Sequence, residues 1–220
     1  MKKIGVLLSG CGVYDGAEIH EAVLTLLAID RAGAEALCLA PNIPQAHVIN
    51  HLTGQPSLKQ TRNVLEEAAR IARGDIRDTA TTTSADFDAL ILPGGYGAAK
   101  NLCDSAFAGE GEITVEPSVA RLIESAFLDK KPLGFICIAP VIAATVLGKY
   151  GIELTIGCHE ETAASITKTG AVHVPQSVYK THTDPRYPIV STPAYMLAKR
   201  ISEVATGIEA LVAEVIRLIK

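Results

Sequence analysis

The feature that most constrains the fold of this chain is a series of short apolar runs, each followed by a turn and a segment with helical periodicity. Residues 88–93 and 132–136 are almost entirely apolar, which is typical of strands covered by helices on both faces. Residues 3–9 form a similar run, and residues 17–32 carry the apolar spacing of an amphipathic helix. This alternation predicts an α/β fold with a mainly parallel central sheet between helical layers.

The remainder of the chain continues the alternation and contains no internal repeat or interdomain linker. Residues 41–60, with three prolines and one glycine, are predicted to form a loop. We further predict strands over 36–40 and 153–156, helices over 61–73, 116–129, 138–148, 159–169 and 194–219, and two segments that could pair, 177–182 and 188–191. The pattern predicts one domain over residues 1–220.

Charge and cysteine content exclude several classes of protein. Twenty Lys and Arg against 24 Asp and Glu give a net charge of −4, whereas nucleic-acid binders are normally basic. No apolar run approaches the ~20 residues that span a bilayer, and no signal-peptide pattern follows Met1. We therefore expect a cytoplasmic protein that binds neither nucleic acid nor membrane. The five cysteines include no CxxC pair, which favours reduced thiols over disulfides or a zinc site.

The strongest local signal is the segment Gly134-Phe-Ile-Cys-Ile-Ala-Pro140, in which an apolar strand ends at a cysteine and a helix follows within three residues. This order is typical of a nucleophile elbow. The helix N-terminus would favour a Cys137 thiolate, and the N–H of Ile138 could face a developing oxyanion. A small apolar cysteine that merely fills the strand end is the alternative, and this segment alone leaves both open.

Other loops at the same sheet edge could meet this thiol, because ligands of parallel α/β sheets bind beyond the carboxyl ends of the strands. Gly94 and Gly95 follow one strand and would let the backbone approach a ligand closely. Residues 10–16 lead into a helix that carries Glu21, and His159 follows the strand predicted at 153–156. Three loops could therefore converge on Cys137.

Several motifs resemble those of a known superfamily. Three look like the DJ-1/PfpI branch of the class I glutamine amidotransferase-like superfamily: residues 17–22 through Ala32-Gly33, Leu92-Pro-Gly-Gly95 and Ile136-Cys-Ile-Ala-Pro140. Four are similar, more closely, to the ElbB/ES1 group: Ser9-Gly-Cys-Gly-Val-Tyr-Asp-Gly16, Gly94-Gly-Tyr-Gly-Ala-Ala-Lys-Asn101, Gly134-Phe-Ile-Cys-Ile-Ala-Pro140 and Thr192-Pro-Ala-Tyr-Met196. None is specific alone, but together they are, and the resemblance covers most of the chain.

The resemblance implies a flavodoxin-like three-layer sandwich with a nucleophile elbow, a homodimer, and a site without cofactor or metal. It assigns Cys137 as the nucleophile and Glu21 as the acidic partner beside its sulfur. Glu21 is preferred over Glu18 because it lies twelve residues before Gly33, the spacing of DJ-1 relatives. A partly buried carboxyl there would be easily protonated and would suit proton transfer.

The resemblance also implies an oxyanion and substrate site and a third catalytic residue. Backbone N–H groups of Gly95 and Ile138 would hold the oxyanion, with Gly94 beside them. His159, 22 residues after Cys137, lies about where DJ-1 relatives place a histidine. Peptidase members instead place histidine directly after the nucleophile, and that position here is isoleucine, so proteolysis is not expected.

The function implied is a glutathione-independent glyoxalase-type lyase that converts glyoxal or methylglyoxal, a small dicarbonyl substrate, to a 2-hydroxy acid. Cys137 would form a hemithioacetal, and Glu21, aided by His159, would move a proton between the two carbons. Deglycation of amines would use the same thiol. The alternatives are a redox-responsive binding protein using the same cysteine, and an amidotransferase-like subunit for which His182-Thr183-Asp184 is only a distant match. The ElbB resemblance also carries a link to isoprenoid biosynthesis.

Overall fold

The computed structural model describes residues 1–109 and 111–220. Its strands are β1 Lys3–Leu7, β2 Glu35–Ala40, β3 Ile49–Asn50, β4 Gln55–Pro56, β5 Arg77–Asp78, β6 Ala89–Leu92, β7 Leu133–Ile136, β8 Glu153–Leu154, β9 Val172–His173, β10 His182–Thr183 and β11 Ile189–Thr192. Its α-helices are α1 Ile19–Arg31, α2 Val64–Ile71, α3 Pro117–Leu128, α4 Pro140–Leu147, α5 Glu160–Lys168 and α6 Ile201–Leu218.

Seven strands form the central sheet, in the order β10-β11-β7-β6-β1-β2-β5. Each neighbouring pair is parallel except β10 and β11, which are antiparallel. Two small sheets, β3 with β4 and β8 with β9, lie outside it. The predicted α/β fold with a mainly parallel central sheet is confirmed.

Both faces of the central sheet are covered, because side chains of a strand point alternately to opposite sides. Ile4 and Val6 of β1 belong to one core cluster, which includes buried residues of α1, α2 and α6. Leu7 belongs to the other, which includes buried residues of α3, α4 and α5. Every residue of β6 and β7 is buried, as their unbroken apolar runs predict. The result is the flavodoxin-like three-layer sandwich.

The closing helix begins later than predicted. A helix was expected over 194–219, but Ala194–Met196 forms a 3-10 turn and α6 follows it. The backbone N–H groups of Lys199 and Arg200 donate to the carboxylate of Glu203 (2.8 and 3.2 Å) and start the helix there. A capping interaction of this kind sets the boundary, and apolar periodicity does not reveal it.

Two further segments differ from prediction because their strands are too short to show a period. Residues 41–60, predicted as a loop, contain the hairpin of β3 and β4. The strand predicted at 153–156 is limited to β8, which pairs with β9 outside the central sheet. The pairing expected between 177–182 and 188–191 is confirmed for β10 and β11 alone.

Candidate active site

The carboxyl ends of β1, β6 and β7 lie at one edge of the sheet, and Cys137 follows β7 directly. Its φ of 61° is left-handed backbone, which non-glycine residues seldom adopt. The N–H of Cys137 donates to the carbonyl of Thr192 (3.0 Å), and Pro140 begins α4 three residues later. A strand, a strained cysteine and a helix thus form the geometry of the predicted elbow.

Gly94 brings the end of β6 against the elbow. A Cβ at this position would lie 2.6 Å from Cys137 Cβ and 2.8 Å from Glu21 Oε2, closer than real side chains pack. Gly95 has a φ of 97°, and a Cβ there would collide with the backbone N of Glu18. The two glycines are therefore needed for the close contact of β6, α1 and the cysteine.

Glu21 lies in the first turn of α1 and is fully buried. Its Oε2 accepts a hydrogen bond from the N–H of Gly94 (2.9 Å), and its Oε1 accepts one from the N–H of Tyr195 (3.3 Å). The same carboxyl lies beside the sulfur of Cys137, and each group shifts the pKa of the other. The structure therefore brings Glu21, Gly94 and Cys137 together, as the sequence predicts.

The Glu21 carboxyl and the Cys137 thiol compete for a single proton. Burial, followed by the charge of Glu18, raises the pKa of Glu21 to about 7. Burial also raises the pKa of Cys137 well above its ordinary range, and the Glu21 carboxylate raises it further. Two buried groups in contact cannot both carry negative charge. A Cys137 thiolate therefore requires a protonated Glu21. The helix N-terminus was expected to favour the thiolate, but here its effect does not outweigh burial and the Glu21 charge, which raise the pKa of Cys137.

Backbone N–H groups also converge on the sulfur. Those of Gly95 and Ile138 lie close enough to the sulfur to oppose the effect of burial and lower the pKa of Cys137. Two fixed N–H donors aimed at the reacting atom can also stabilise negative charge that develops beside it. The predicted oxyanion donors are thus at the thiol, and their catalytic role stays a prediction.

A cleft of about 600 Å³ opens over the elbow, and Cys137 lines it. Such a volume lies within the range of roughly 300–1,000 Å³ that is typical of small-molecule sites. The wall also includes Gly95, Ile138, His159 and Tyr195. Cys137 is 8% exposed, and this small exposed surface belongs to the cleft. A small molecule can therefore reach the sulfur.

His159 lines the cleft but serves as the N-cap of α5. Its Nδ1 accepts a hydrogen bond from the N–H of Thr162 (3.3 Å) and contacts the Thr162 hydroxyl (2.9 Å). Among the residues that the structure describes, it makes no hydrogen bond to Cys137 or Glu21. The structure therefore places His159 at the site without joining it to the thiol, and its catalytic role stays a prediction.

Glu18 is a second carboxylate at the site. The resemblance to DJ-1 relatives assigns the acidic role to Glu21 and not to Glu18. It caps the N-terminus of α1, where its Oε2 accepts a hydrogen bond from the N–H of Glu21 (2.7 Å). It is 8% exposed and lines the cleft together with Cys137. Its position before an amphipathic helix is a capping signal, but nothing local shows that the side chain reaches the cleft.

Asn101 fixes the glycine loop that leads into α1. The side chain is buried in a π-helical turn over Ala98–Leu102. Its Nδ2 donates to the carbonyls of Ser9 and Asp15 (both 2.9 Å), and its Oδ1 accepts from the N–H of Ala46 (2.9 Å). The amide thus makes three of its four possible hydrogen bonds, and Asn101 holds the loop at the sheet edge.

All five cysteines are free thiols, and the four others lie away from the elbow of Cys137. None of the other four is among the described residues that line the cleft. Burial raises the pKa of Cys38 to about 11 and also raises that of Cys103. Over residues 1–109 and 111–220, no group of three or more His, Cys, Asp or Glu side chains could hold a metal ion.

The fold and the elbow together define a class I amidotransferase-like protein with a cysteine at the strand end. No family model matches the chain. The "ES1 protein homolog, mitochondrial" of Rattus norvegicus is 44% identical, over 98% of this chain and 84% of the relative. The human "Glutamine amidotransferase-like class 1 domain-containing protein 3, mitochondrial" is 45% identical, over 98% of this chain and 83% of the relative.

Solved structures agree with these relatives. The crystal structure of an "isoprenoid biosynthesis protein with amidotransferase-like domain" from Ehrlichia chaffeensis has a TM-score of 0.89 and 34% identity, and the match covers 98% of this chain and 99% of that one. A DJ-1 superfamily protein from Agrobacterium tumefaciens has a TM-score of 0.57 at 15% identity, covering 99% and 89% of the two chains, which shows a shared fold alone. The chain belongs to the ES1 family of glutamine amidotransferase-like class 1 proteins.

The cytoplasmic location predicted from the sequence is wrong when the chain is compared with these relatives. The relatives from rat, human and Danio rerio are each named as mitochondrial, which contradicts the expected cytoplasmic location. The expectation rested on the lack of a signal-peptide pattern, and that pattern reports on secretion, not on other compartments. Within the described part of the chain, no helix is long and apolar enough to cross a membrane.

Proposed function

We propose that this chain is a cofactor-independent glyoxalase-type lyase that converts glyoxal or methylglyoxal into a 2-hydroxy acid. The observation that carries the proposal is the contact of the Cys137 sulfur with the Glu21 carboxyl and two backbone N–H groups, beside an open cleft. Addition of a thiol to an aldehyde requires these parts: a nucleophile, a proton acceptor and donors for the developing oxyanion.

The first step is addition of the sulfur to the aldehyde carbon. The thiol proton of Cys137 passes to Glu21, whose pKa of about 7 lets its carboxylate accept a proton near neutral pH. The S–C bond forms as an electron pair of the carbonyl moves to oxygen. The N–H groups of Gly95 and Ile138 stabilise that oxyanion, and its protonation gives the hemithioacetal.

The hemithioacetal then rearranges without any net oxidation or reduction. One proton leaves the carbon bonded to sulfur and one is added to the neighbouring carbon. The hydroxyl on the first carbon also loses its proton and the neighbouring oxygen gains one, which gives the thioester of a 2-hydroxy acid. Water attacks the thioester carbonyl, the C–S bond breaks, and the thiol regains its proton. Glyoxal would give glycolate and methylglyoxal would give lactate. Because glycated amines expose the same kind of carbon to the thiol, deglycase activity belongs to the same proposal.

The two alternative functions have weaker support from the geometry. A glutaminase needs a histidine beside its cysteine, but His182 hydrogen-bonds Glu153 (3.0 Å), and Asp184 accepts the N–H of Glu153 (2.6 Å). A redox sensor needs a thiolate that persists between reactions, whereas burial raises the pKa of Cys137 and Glu21 takes its proton only during attack on a bound molecule. We therefore expect neither ammonia release from glutamine nor oxidation-dependent capture of a partner.

The test is a rate assay with glyoxal and with methylglyoxal that measures formation of the 2-hydroxy acid. We expect turnover by the wild type, none above background by Cys137→Ala, and a strongly reduced rate for Glu21→Gln. Cys38→Ala removes a buried thiol that does not line the cleft, and it should keep the wild-type rate. A wild type without product, or a Cys137→Ala variant that still forms it, would overturn the proposal.

We also propose that the enzyme is a homodimer. Ile19, Val23 and Leu27 recur at every fourth residue of α1 and are 42%, 47% and 39% exposed, so they form an apolar stripe on one helix face. Sedimentation equilibrium should give twice the chain mass of 23.2 kDa. Val23→Glu, which places a charge in the stripe, should give the monomer mass, and a wild-type monomer at micromolar concentration contradicts the assignment.

A further inference from the structure

The proposed reaction needs a base at the substrate carbons, and Glu21 is badly placed to supply it. The side chain has no exposed surface and is not among the described residues that line the cleft. Both of its oxygens already accept backbone hydrogen bonds, one from Gly94 and one from Tyr195. Glu21 can therefore exchange a proton with the sulfur it contacts, but a carbon in the cleft lies beyond these bonded oxygens.

Glu18 has the position that Glu21 lacks. Glu18 lines the same cleft as Cys137, and its carboxyl is held by one oxygen alone, Oε2, which accepts the N–H of Glu21. Within residues 1–109 and 111–220, no hydrogen bond to Oε1 is formed. A carboxylate fixed by one oxygen and open at the other, on the wall of a substrate cleft, is suited to take a proton from a bound molecule.

We propose that Glu18 is the catalytic base that moves the proton between the two carbons of the hemithioacetal. The inference rests on the proposed glyoxalase function. Glu18 takes the proton from the carbon bonded to sulfur, and the C–H electron pair forms the C=C bond of an enediol as the neighbouring carbonyl oxygen gains a proton. The protonated Glu18 then returns its proton to the neighbouring carbon. Loss of the hydroxyl proton from the first carbon gives the thioester.

The electrostatics of the pair support this division of work. The N-terminus of α1 favours a negative charge at its N-cap, which is the position of Glu18. That charge is the second cause, after burial, of the raised pKa of Glu21. A carboxyl on the substrate side and a second one beside the nucleophile can act as base and acid in one cycle. Glu18 thus serves the carbons and Glu21 serves the sulfur.

Two other groups on the cleft wall are less suited to this role. The hydroxyl of Tyr195 hydrogen-bonds Nδ1 of His20 (2.7 Å), and burial raises the pKa of Tyr195 above the ordinary value of a tyrosine, so it is a poor base near neutral pH. His159 uses Nδ1 to cap α5.

The test compares Glu18→Gln with the wild type on methylglyoxal, by rate assay and by intact mass. The amide oxygen of glutamine can still accept the N–H of Glu21, so the helix cap is kept and the base is lost. We expect kcat to fall by about 100-fold, the effect of removing a general base, and the covalent adduct of methylglyoxal on Cys137 to accumulate. Glu18→Asp keeps a carboxylate and should recover at least tenfold of the lost rate.

Glu116→Gln is the matched control. Glu116 caps α3 as Glu18 caps α1, accepting the N–H of Val119 (2.9 Å), and it does not line the cleft. This variant should keep the wild-type rate. A wild type that makes no lactate overturns the proposed function and this inference with it. A working wild type with Glu18→Gln within twofold of its rate, or with the rate lost and no adduct accumulated, overturns the role of Glu18 alone.

Discussion

A Gly94→Ala variant is expected to lose at least about 1,000-fold in turnover of glyoxal, because one methyl group displaces both the nucleophile and its acid. The added Cβ would lie 2.6 Å from Cys137 Cβ and 3.1 Å from its Sγ. It would also lie 2.8 Å from Glu21 Oε2, which the N–H of the same residue binds. Overpacking of this kind should cost about 2 kcal/mol of unfolding free energy.

Gly74→Ala is the control for this prediction. Nothing lies within 4 Å of a Cβ built on Gly74, so its φ of 86° is the cause of any strain. That strain should cost about 1 kcal/mol, with no change in the rate. The two variants are compared by urea unfolding and by the glyoxal assay. If Gly94→Ala keeps more than a tenth of the wild-type rate, the close contact of β6 with the elbow is not required.

The central sheet could be predicted from the sequence because burial on both faces leaves a local mark. Residues 88–93 and 132–136 read as unbroken apolar runs, and β6 and β7 lie inside them. The start of α6 left no such mark. It depends on Glu203 accepting two N–H groups four and three residues earlier, and on Tyr195 in the preceding turn, which bonds to Glu21 and His20 of α1. The apolar periodicity over 194–219 does not distinguish a helix that begins at residue 194 from one that begins at residue 201.

The features of the candidate site also differ in whether consecutive residues or distant contacts determine them. The elbow at Cys137 is visible in seven consecutive residues, since strand, cysteine and helix are adjacent in the chain. The burial of Glu21 cannot be seen in the local sequence, because the N–H that fixes one of its oxygens belongs to Tyr195, 174 residues away. The capping role of His159 and the reach of Glu18 into the cleft depend on how loops from separate strands meet. Residue type identifies the chemistry, and three-dimensional packing decides which group performs each step.

The contribution of Glu21 to the unfolding free energy should fall as pH rises from about 4.5 to 7, and Glu21→Gln should remove this contribution. Burial raises the pKa of Glu21 from an ordinary 4.5 to about 7 in the folded state. Between these values the unfolded chain has released the proton and the folded chain keeps it, so the contribution of Glu21 is complete below pH 4.5 and is lost as pH passes 7. The loss should be about 3 kcal/mol.

The measurement is the unfolding free energy of the wild type and Glu21→Gln at pH 5 and pH 7.5. Glutamine offers one oxygen where two N–H groups need acceptors, so the variant carries a penalty that does not depend on pH. The change in the difference therefore reports the titration, and between these two pH values it should move by roughly 2 kcal/mol in favour of the variant at the higher pH. Cys137→Ala keeps the buried acid and should keep the dependence. A difference that stays constant would mean that Glu21 has the same pKa in the folded and the unfolded chain, and its carboxylate would then lack the raised pKa that lets it take the thiol proton near neutral pH.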